Sequence, residues 1–280
     1  MKQRLLTALI GVTVAVGWLF TVYTPVFAII LAVFAVIGEF EMLRVFEVKN
    51  IPFKVLCLAL SAAVMIYPDY SDRISIPLFP AVTIVVLLSL IIMVLDFEKL
   101  RFEQVVCSLF AGAFIPAALS CVVLFRDVYI KFPGIFTKPD GIFYILLAFF
   151  CSWATDACAL FAGKAFGKHK LYEKVSPKKT VEGAIGGLIG NCLFCIALYF
   201  VFLKKFSLSA NIKLWQIIVF SLLLGVISIF GDLAASTIKR HHGVKDFGNL
   251  LPGHGGVMDR FDSCLFVFPA LYSAILLIYG

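Results

Sequence analysis

Asp259 and Asp262 stand three residues apart, with Arg260 between them, directly after a Pro-Gly-His-Gly-Gly run at 252–256. In the first turn of a helix that spacing puts both carboxylates on one face. Two close carboxylates repel unless something positive lies between them, here either Arg260 and its neighbours or a divalent cation. The run before them offers flexible backbone and N–H groups of the kind that cradle phosphate at a helix N-terminus, with His254, Gly255 and Gly256 as the candidate contacts.

Upstream, Asp232, Ser236, Lys239 and Arg240 fall at i, i+4, i+7 and i+8 and form one polar stripe at the end of an apolar helix. A carboxylate inside a span costs ~2.5–3.5 kcal/mol on insertion scales, so it faces a partner or a water-filled cavity. The plainest partner is Lys239 or Arg240 in an ion pair that anchors the helix end. With Lys245 and Asp246 added, the region holds four carboxylates (232, 246, 259, 262) beside four basic residues (239, 240, 245, 260). Oxygen ligands without a Cys/His set favour Mg²⁺ over Zn²⁺. Acidic groups for the ion and basic groups for phosphate oxygens are the parts of a phosphoryl or nucleotidyl transfer, although a solvated salt-bridge network would use the same residues.

A second charged stretch, "GKAFGKHKLYEKVSPKKTVEG" at 163–183, carries six lysines. It reads either as a patch for anionic lipid or as a triphosphate clamp. In the clamp, Lys178 and Lys179 are point charges and Ser176 and Thr180 are hydroxyl donors. Just before it, Ser152 and Asp156 stand at i, i+4 within another apolar run. Intramembrane Asp156 and Asp232 would equally suit an anion transporter, but no internal repeat accompanies them. A zinc site from His241, His242 and His254 lacks a cysteine partner. Cys192 and Cys195 form a CxxC in mid-span with no histidine near, and all eight cysteines sit in or beside apolar runs, as packing residues do.

The elements that must position these residues are transmembrane helices. The chain is 62% hydrophobic and 15% charged, with mean hydropathy +1.03, against ~45–50% apolar residues in soluble domains. Solid apolar runs, not alternating ones, exclude a β-barrel and predict an all-α polytopic membrane protein. About nine spans are expected: 5–23, 26–43, 54–68, 77–95, 104–125, 141–163, 183–203, 214–235 and 263–279. The basic, apolar start reads as a first span, since no small-x-small cleavage site follows it. On this topology 17 of the 24 Lys and Arg residues lie on the side of the N-terminus, which places that end in the cytoplasm together with both charged loops. The net charge of +7 then reports cytoplasmic loops and not a nucleic-acid partner. Gly183 with Gly187, and Gly186 with Gly190, suit close packing of a helix inside the bundle or across a dimer.

The stretch from Ser236 to Asp262, "STIKRHHGVKDFGNLLPGHGGVMDRFD", resembles the signature of the phosphatidate cytidylyltransferase (CDP-diacylglycerol synthase) family. The resemblance rests on Ser236, Lys239, Arg240, Lys245, Asp246, Gly248, Pro252, His254, Gly255, Gly256, Asp259, Arg260 and Asp262. The loop from Phe166 to Gly187 is similar to the family's lysine-rich loop, and Trp153, Asp156, Ala159, Gly163 and Lys164 fit the helix before it. Cys158 and Leu160 depart from a Gly-Ala-Tyr-like run there, and Val181 stands where Trp is commoner. Up to roughly residue 100 the likeness is one of hydropathy and of the Glu-rich end of the second span.

The resemblance implies one transmembrane domain over 1–280, with its catalytic half at roughly 141–280, in a bacterial inner membrane. It implies that CTP and phosphatidate from the bilayer give CDP-diacylglycerol and pyrophosphate at the cytoplasmic face, with Mg²⁺ as one ion or two. Transfer to another lipid phosphate is the near alternative, and family members often pair as homodimers. On that footing Asp232, Asp259 and Asp262 are the expected metal ligands, with Asp246 in reserve. Lys239, Arg240 and Arg260 would hold the lipid phosphate or the α-phosphate, and Ser176, Lys178, Lys179 and Thr180 the outer phosphates. Ser236, Lys245, His254, Gly255 and Gly256 complete the expected substrate contacts.

Overall fold

A computed structural model describes residues 17–70, 78–250 and 255–280. Most of the expected span at 5–23, and also His254, lie outside the described residues. Residues 20–23 make a turn, after which Pro25, whose fixed φ suits a first helical position, opens helix α1 (Pro25–Val45). The chain continues through α2 (Ile51–Tyr70), α3 (Leu78–Leu95) and α4 (Phe102–Arg126). Next come a single turn, α5 (Val128–Lys131), and the long α6 (Lys138–Phe166). A hairpin, β1 (Lys170–Tyr172) and β2 (Ser176–Thr180), leads into α7 (Val181–Lys205) and α8 (Leu214–His241). The short α9 (Met258–Phe261) and α10 (Cys264–Tyr279) end the chain.

Each of the eight remaining expected spans coincides with one of these helices. Six are long and apolar enough to cross a membrane, and the apolar stretches Phe79–Leu95 and Cys264–Tyr279 are shorter. Large apolar side chains such as Phe79, Ile91, Leu160, Phe161, Leu193 and Phe230 are exposed. On a soluble protein such surface would be an association hazard, whereas hydrocarbon solvates it without cost. The protein is a multi-pass helical membrane protein.

The helices form two compact units. The first holds residues up to Val123 together with His242–Arg260, so the glycine-rich part of the charged loop packs with the early helices. The second holds Leu124–His241 and Phe261–Gly280. Its centre is the pairing of α6 with α7, made possible by the glycines of "GAIGGLIGN". A Cβ on Gly183 would stand 2.8 Å from the Ala159 carbonyl oxygen, and one on Gly187 would stand 2.9 Å from that of Thr155. The two small-residue pairs therefore serve packing within the chain.

Two local departures matter for the site. The lysine-rich stretch, read as an open loop with a Ser-Pro turn, closes into an antiparallel hairpin with Lys170 opposite Thr180 and Tyr172 opposite Ser176. Lys170 Nζ donates to the Pro177 carbonyl at 2.6 Å. Glu182 in the first turn of α7 accepts from the N–H groups of Lys168 and His169, at 3.0 and 3.2 Å, and ties the hairpin's base to that helix. In addition, the last helix starts at Cys264, beyond a turn at 262–263. Asp259 thus belongs to the short α9 and Asp262 to the turn after it, not to one helical face.

Candidate active site

In the second unit, side chains from α6, β2, α8 and the turn before α10 join into one polar network. Asp232, on α8, forms an ion pair with Lys179 of β2, each about three-quarters covered, with side-chain exposures of 23% and 25%. Ser236, one turn on, donates to the other Asp232 oxygen at 3.5 Å. One further turn along the same stripe, Lys239 Nζ lies 3.8 Å from Asp262 Oδ2. Asp262 Oδ1 accepts the N–H of Ser263 at 2.8 Å. Ser263 Oγ then donates to Asp156 Oδ2 at 3.3 Å, while Ser152 Oγ donates to Ser263 Oγ at 3.0 Å. Asp156 lies within electrostatic reach of Asp232, Lys179 and Asp262.

The network thus gathers three carboxylates, two ammonium groups and three hydroxyls. It corrects the simplest expectation for α8, that Asp232 pairs with Lys239 or Arg240 of its own helix. Seven residues span about 10 Å along a helix axis, and the ion pairs of Asp232 and Lys239 instead reach Lys179 and Asp262 on other elements. Ser263, which no sequence reasoning singled out, bridges Asp156 to the backbone turn that holds Asp262.

The hairpin sorts its lysines by strand alternation, since successive side chains on β2 point to opposite faces. Lys178 is exposed, and Lys179 turns inward to Asp232. Thr180 caps α7, its hydroxyl accepting the Gly183 N–H at 3.1 Å, as an N-cap threonine does. Ser176 is half-buried at the strand start, and Arg240 is exposed at the end of α8.

In the first unit, the backbone N–H groups of Phe247, Gly256, Val257 and Met258 are held by two acidic side chains. Asp259 Oδ2 accepts from Phe247 N at 2.9 Å and from Gly256 N at 3.0 Å. Glu41 of α1 accepts from Val257 N at 3.0 Å and Met258 N at 2.9 Å. A carboxylate capturing several backbone N–H groups makes charge-assisted bonds of about twice ordinary strength. The same pairing explains two of the motif glycines. A Cβ on Gly248 or on Gly256 would run into the Glu41 carboxylate, so a side chain at either position would push that carboxylate off its backbone N–H partners. Gly255 adopts φ +82°, a left-handed conformation that glycine takes at little cost. Lys245, Asp246 and Arg260 are exposed on this segment.

The remaining expectations separate cleanly. Among the described residues no three His, Cys, Asp or Glu side chains are grouped as a ready-made metal cage. His241 and His242 are exposed. All eight cysteines are free, and Cys195 faces Cys151, with the sulfurs 3.8 Å apart, not Cys192. Oxygen donors with compensating lysines are therefore the chemistry on offer. A set of this kind is able to hold anions at its lysines and a hard cation at its aspartates.

Comparison with known proteins is consistent along the whole chain. Residues 2–278 match the model of the cytidylyltransferase family. A phosphatidate cytidylyltransferase of Staphylococcus aureus is 38% identical over 275 residues, covering 97% of both chains. One from Staphylococcus haemolyticus is 35% identical over 278 residues, again with 97% of each chain covered. One from Bacillus subtilis is 34% identical, with 97% of this chain and 96% of the relative aligned.

Proposed function

Because the chain belongs to the cytidylyltransferase family, we propose that it transfers CMP from CTP to phosphatidate, yielding CDP-diacylglycerol and pyrophosphate. The observation that carries this reading is the Asp156–Lys179–Asp232–Lys239–Asp262 network, in which carboxylates and lysines of separate elements of the second unit converge. It lies in a chain aligned almost end to end with enzymes of that name.

The chemistry asks little of the protein as a nucleophile. A phosphatidate phosphate oxygen attacks the α-phosphorus of CTP, the bond from that phosphorus to the bridging oxygen breaks, and pyrophosphate leaves with the electron pair. What the protein must do is bring two polyanions together in line and offset the charge on the leaving group. Lys179 and Lys239 are placed for that work. Each ammonium rests on an aspartate, so its charge is held in position before substrate arrives. Phosphate oxygens compete for it as the nucleotide docks, Lys179 turning to the outer phosphates and Lys239 to the α-phosphate or lipid phosphate. Lys178 and Arg240, exposed on the same unit, add positive charge on the approach from water.

The aspartates fit Mg²⁺, which is commonly held by one or two carboxylates together with substrate phosphates and not by an all-protein cage. Asp232 and Asp262 would hold it, with Asp156 behind them, as one ion or two. When bound, it would supply charge neutralisation on the phosphate oxygens. Asp259 was expected among the ligands on its spacing. Its Oδ2 has a loop-holding task in the first unit, so its substitution reports on loop and metal together, whereas Asp232 separates the two.

The proposal includes nine spans, a cytoplasmic N-terminus and a homodimer, with the catalytic half at 141–280. The bias of 17 of 24 basic residues toward one side supports this orientation. It would let CTP enter from the cytoplasm while the diacyl lipid arrives sideways from the leaflet.

The deciding experiment incubates the purified protein with labelled CTP, Mg²⁺ and phosphatidate. A labelled lipid with equimolar pyrophosphate is expected, and CTP left intact under those conditions rules the activity out. Lys179→Met is expected to raise the CTP KM by about 10–100-fold, the worth of a charge-assisted hydrogen bond of ~1.5–3 kcal/mol. The phosphatidate KM should move far less. The opposite pattern in initial-rate kinetics would reassign the hairpin to lipid binding.

A further inference from the structure

Ser263 carries no charge, yet it ties two carboxylates of the network to one point of the backbone. It stands at the turn before α10 and is 1% exposed. Its N–H donates to Asp262 Oδ1 at 2.8 Å, and its hydroxyl donates to Asp156 Oδ2 at 3.3 Å. The two acids come from different elements, Asp262 from the turn and Asp156 from α6. Neighbouring carboxylates repel, and acids free to rotate would turn away from one another. A donor on each holds them in place.

The hydroxyl works in one direction. A serine Oγ carries one proton and accepts on its lone pairs. Ser152 Oγ, on a residue 0% exposed, donates to Ser263 Oγ at 3.0 Å and so takes one accepting position. The proton of Ser263 is then left for Asp156. Hydroxyls in series polarise one another, which makes the last of them the better donor.

The consequence falls on the other oxygen of Asp156. Ser263 engages Oδ2, whereas Oδ1 accepts no hydrogen bond from the described residues. Nor is Oδ1 one of the sealed polar atoms, so it opens onto accessible space. A tether on Oδ2 restrains rotation of the carboxylate about Cβ–Cγ and gives Oδ1 one heading. Asp232, Lys179 and Asp262 all lie within electrostatic reach of this carboxylate.

Resting on the CMP-transfer reading above, we propose that Ser263 is a positioning residue, whose hydroxyl fixes Asp156 as the third carboxylate of the cation-holding set. Its N–H orients Asp262 at the same time, and Ser152 supports the hydroxyl from behind. Ser263 therefore acts through the two aspartates. Groups that hold metal ligands in place typically cost about 10–100-fold in metal affinity or activity when removed.

The test uses the intact protein in lipid nanodiscs and two readouts. One is the Mg²⁺ concentration for half-maximal turnover of CTP and phosphatidate. The other needs no turnover: the rise of the thermal midpoint with Mg²⁺ at a saturating level of the α,β-methylene analogue of CTP, whose carbon replaces the oxygen that must leave. Ser263→Ala keeps the N–H to Asp262 and removes only the hydroxyl. It should raise the Mg²⁺ requirement about tenfold in both readouts, while the phosphatidate KM at saturating Mg²⁺ moves less than about twofold. Ser263→Thr returns a hydroxyl to the same carbon and should recover most of the loss. In an Asp156→Asn background, Ser263→Ala should add less than about twofold, because a residue acting through another has nothing more to lose once its target is gone. A purely structural serine would lower thermal midpoints and leave the Mg²⁺ curves in place, which overturns the proposal. So do effects that multiply in the double variant. A wild type that transfers no CMP overturns the reading beneath it, whereas active wild type with unmoved Ser263→Ala curves overturns the role of Ser263 alone. Should Ser263→Ala fail to fold, Ser152→Ala removes the donor behind it and is read the same way: a smaller shift of the same sign supports the role, and unmoved curves end it.

Discussion

Asp232→Asn is expected to lower kcat for CTP-dependent turnover about 10³-fold, the usual scale for losing one preorganised electrostatic group in an active site. The amide keeps the shape of the carboxylate and can still accept from Ser236, which donates to Asp232 Oδ1 at 3.5 Å. What it loses is charge. Lys179 then has no anion to hold it before substrate binds, and a cation has one carboxylate fewer. Stability should fall only modestly, because about a quarter of each side chain stays exposed, so the lysine left without its partner can still turn its ammonium group to water. The measurement is kcat alongside the thermal midpoint and the Mg²⁺ concentration for half-maximal rate. A fold within a few degrees of wild type, a collapsed kcat and a raised Mg²⁺ requirement would together assign Asp232 to the chemistry. Turnover within a few-fold of wild type would remove it from the site.

The reasons that this prediction centres on Asp232 were only partly written in the sequence. Lipid forces long apolar helices, so spans such as 104–125 and 214–235 are legible from composition alone, as is the polar stripe of Asp232, Ser236 and Lys239. Periodicity says which residues share a face of one helix. It does not say what another element brings to that face. Lys179 reaches Asp232 only because β2 alternates its side chains, and Asp262 reaches Lys239 only because the chain turns at 262–263 before α10. Both depend on backbone choices over three or four residues that compete closely in energy. The expectation that Asp259 and Asp262 share a helical face failed for the same reason. A local spacing argument assumed one continuous helix where a break serves two separate sets of N–H groups.

Ser263 illustrates a different limit. A serine beside an aspartate carries no signal of its own, and its role appears only once α6 delivers Ser152 and Asp156 to it. Glu41 was more accessible. The argument that made Asp232 and Asp156 noteworthy, a carboxylate within an apolar run, applies equally to the end of the second span. Glu41 then answers to the glycines of the signature motif, since its carboxylate fills the space that side chains at Gly248 and Gly256 would need. Gly256, read as part of a phosphate cradle, also leaves clearance for this buried acid.

That assignment has a large consequence. Glu41 is 3% exposed and its two oxygens take the N–H groups of Val257 and Met258. In Glu41→Gln one oxygen becomes an NH₂, and a donor then faces a backbone donor in a buried place. The lost bond and the unsatisfied N–H each cost about 1–3 kcal/mol. The loop has few other ways to relieve this, because Gly248 and Gly256 already pack against the same carboxylate. Segment 242–260 should therefore loosen while the early helices stay folded. Since it carries Lys245 and Asp246 and leads along the chain to Asp262, kcat/KM should fall about 100-fold, or ~2.7 kcal/mol. Hydrogen exchange separates this from general unfolding: the amides of Phe247, Gly256, Val257 and Met258 should lose protection, and those of α6 and α7 should keep it. Glu41→Asp, which retains the charge on a shorter arm, should recover part of both readouts. Unchanged exchange in the loop together with full activity would leave Glu41 as an ordinary buried acid with no hold on the motif.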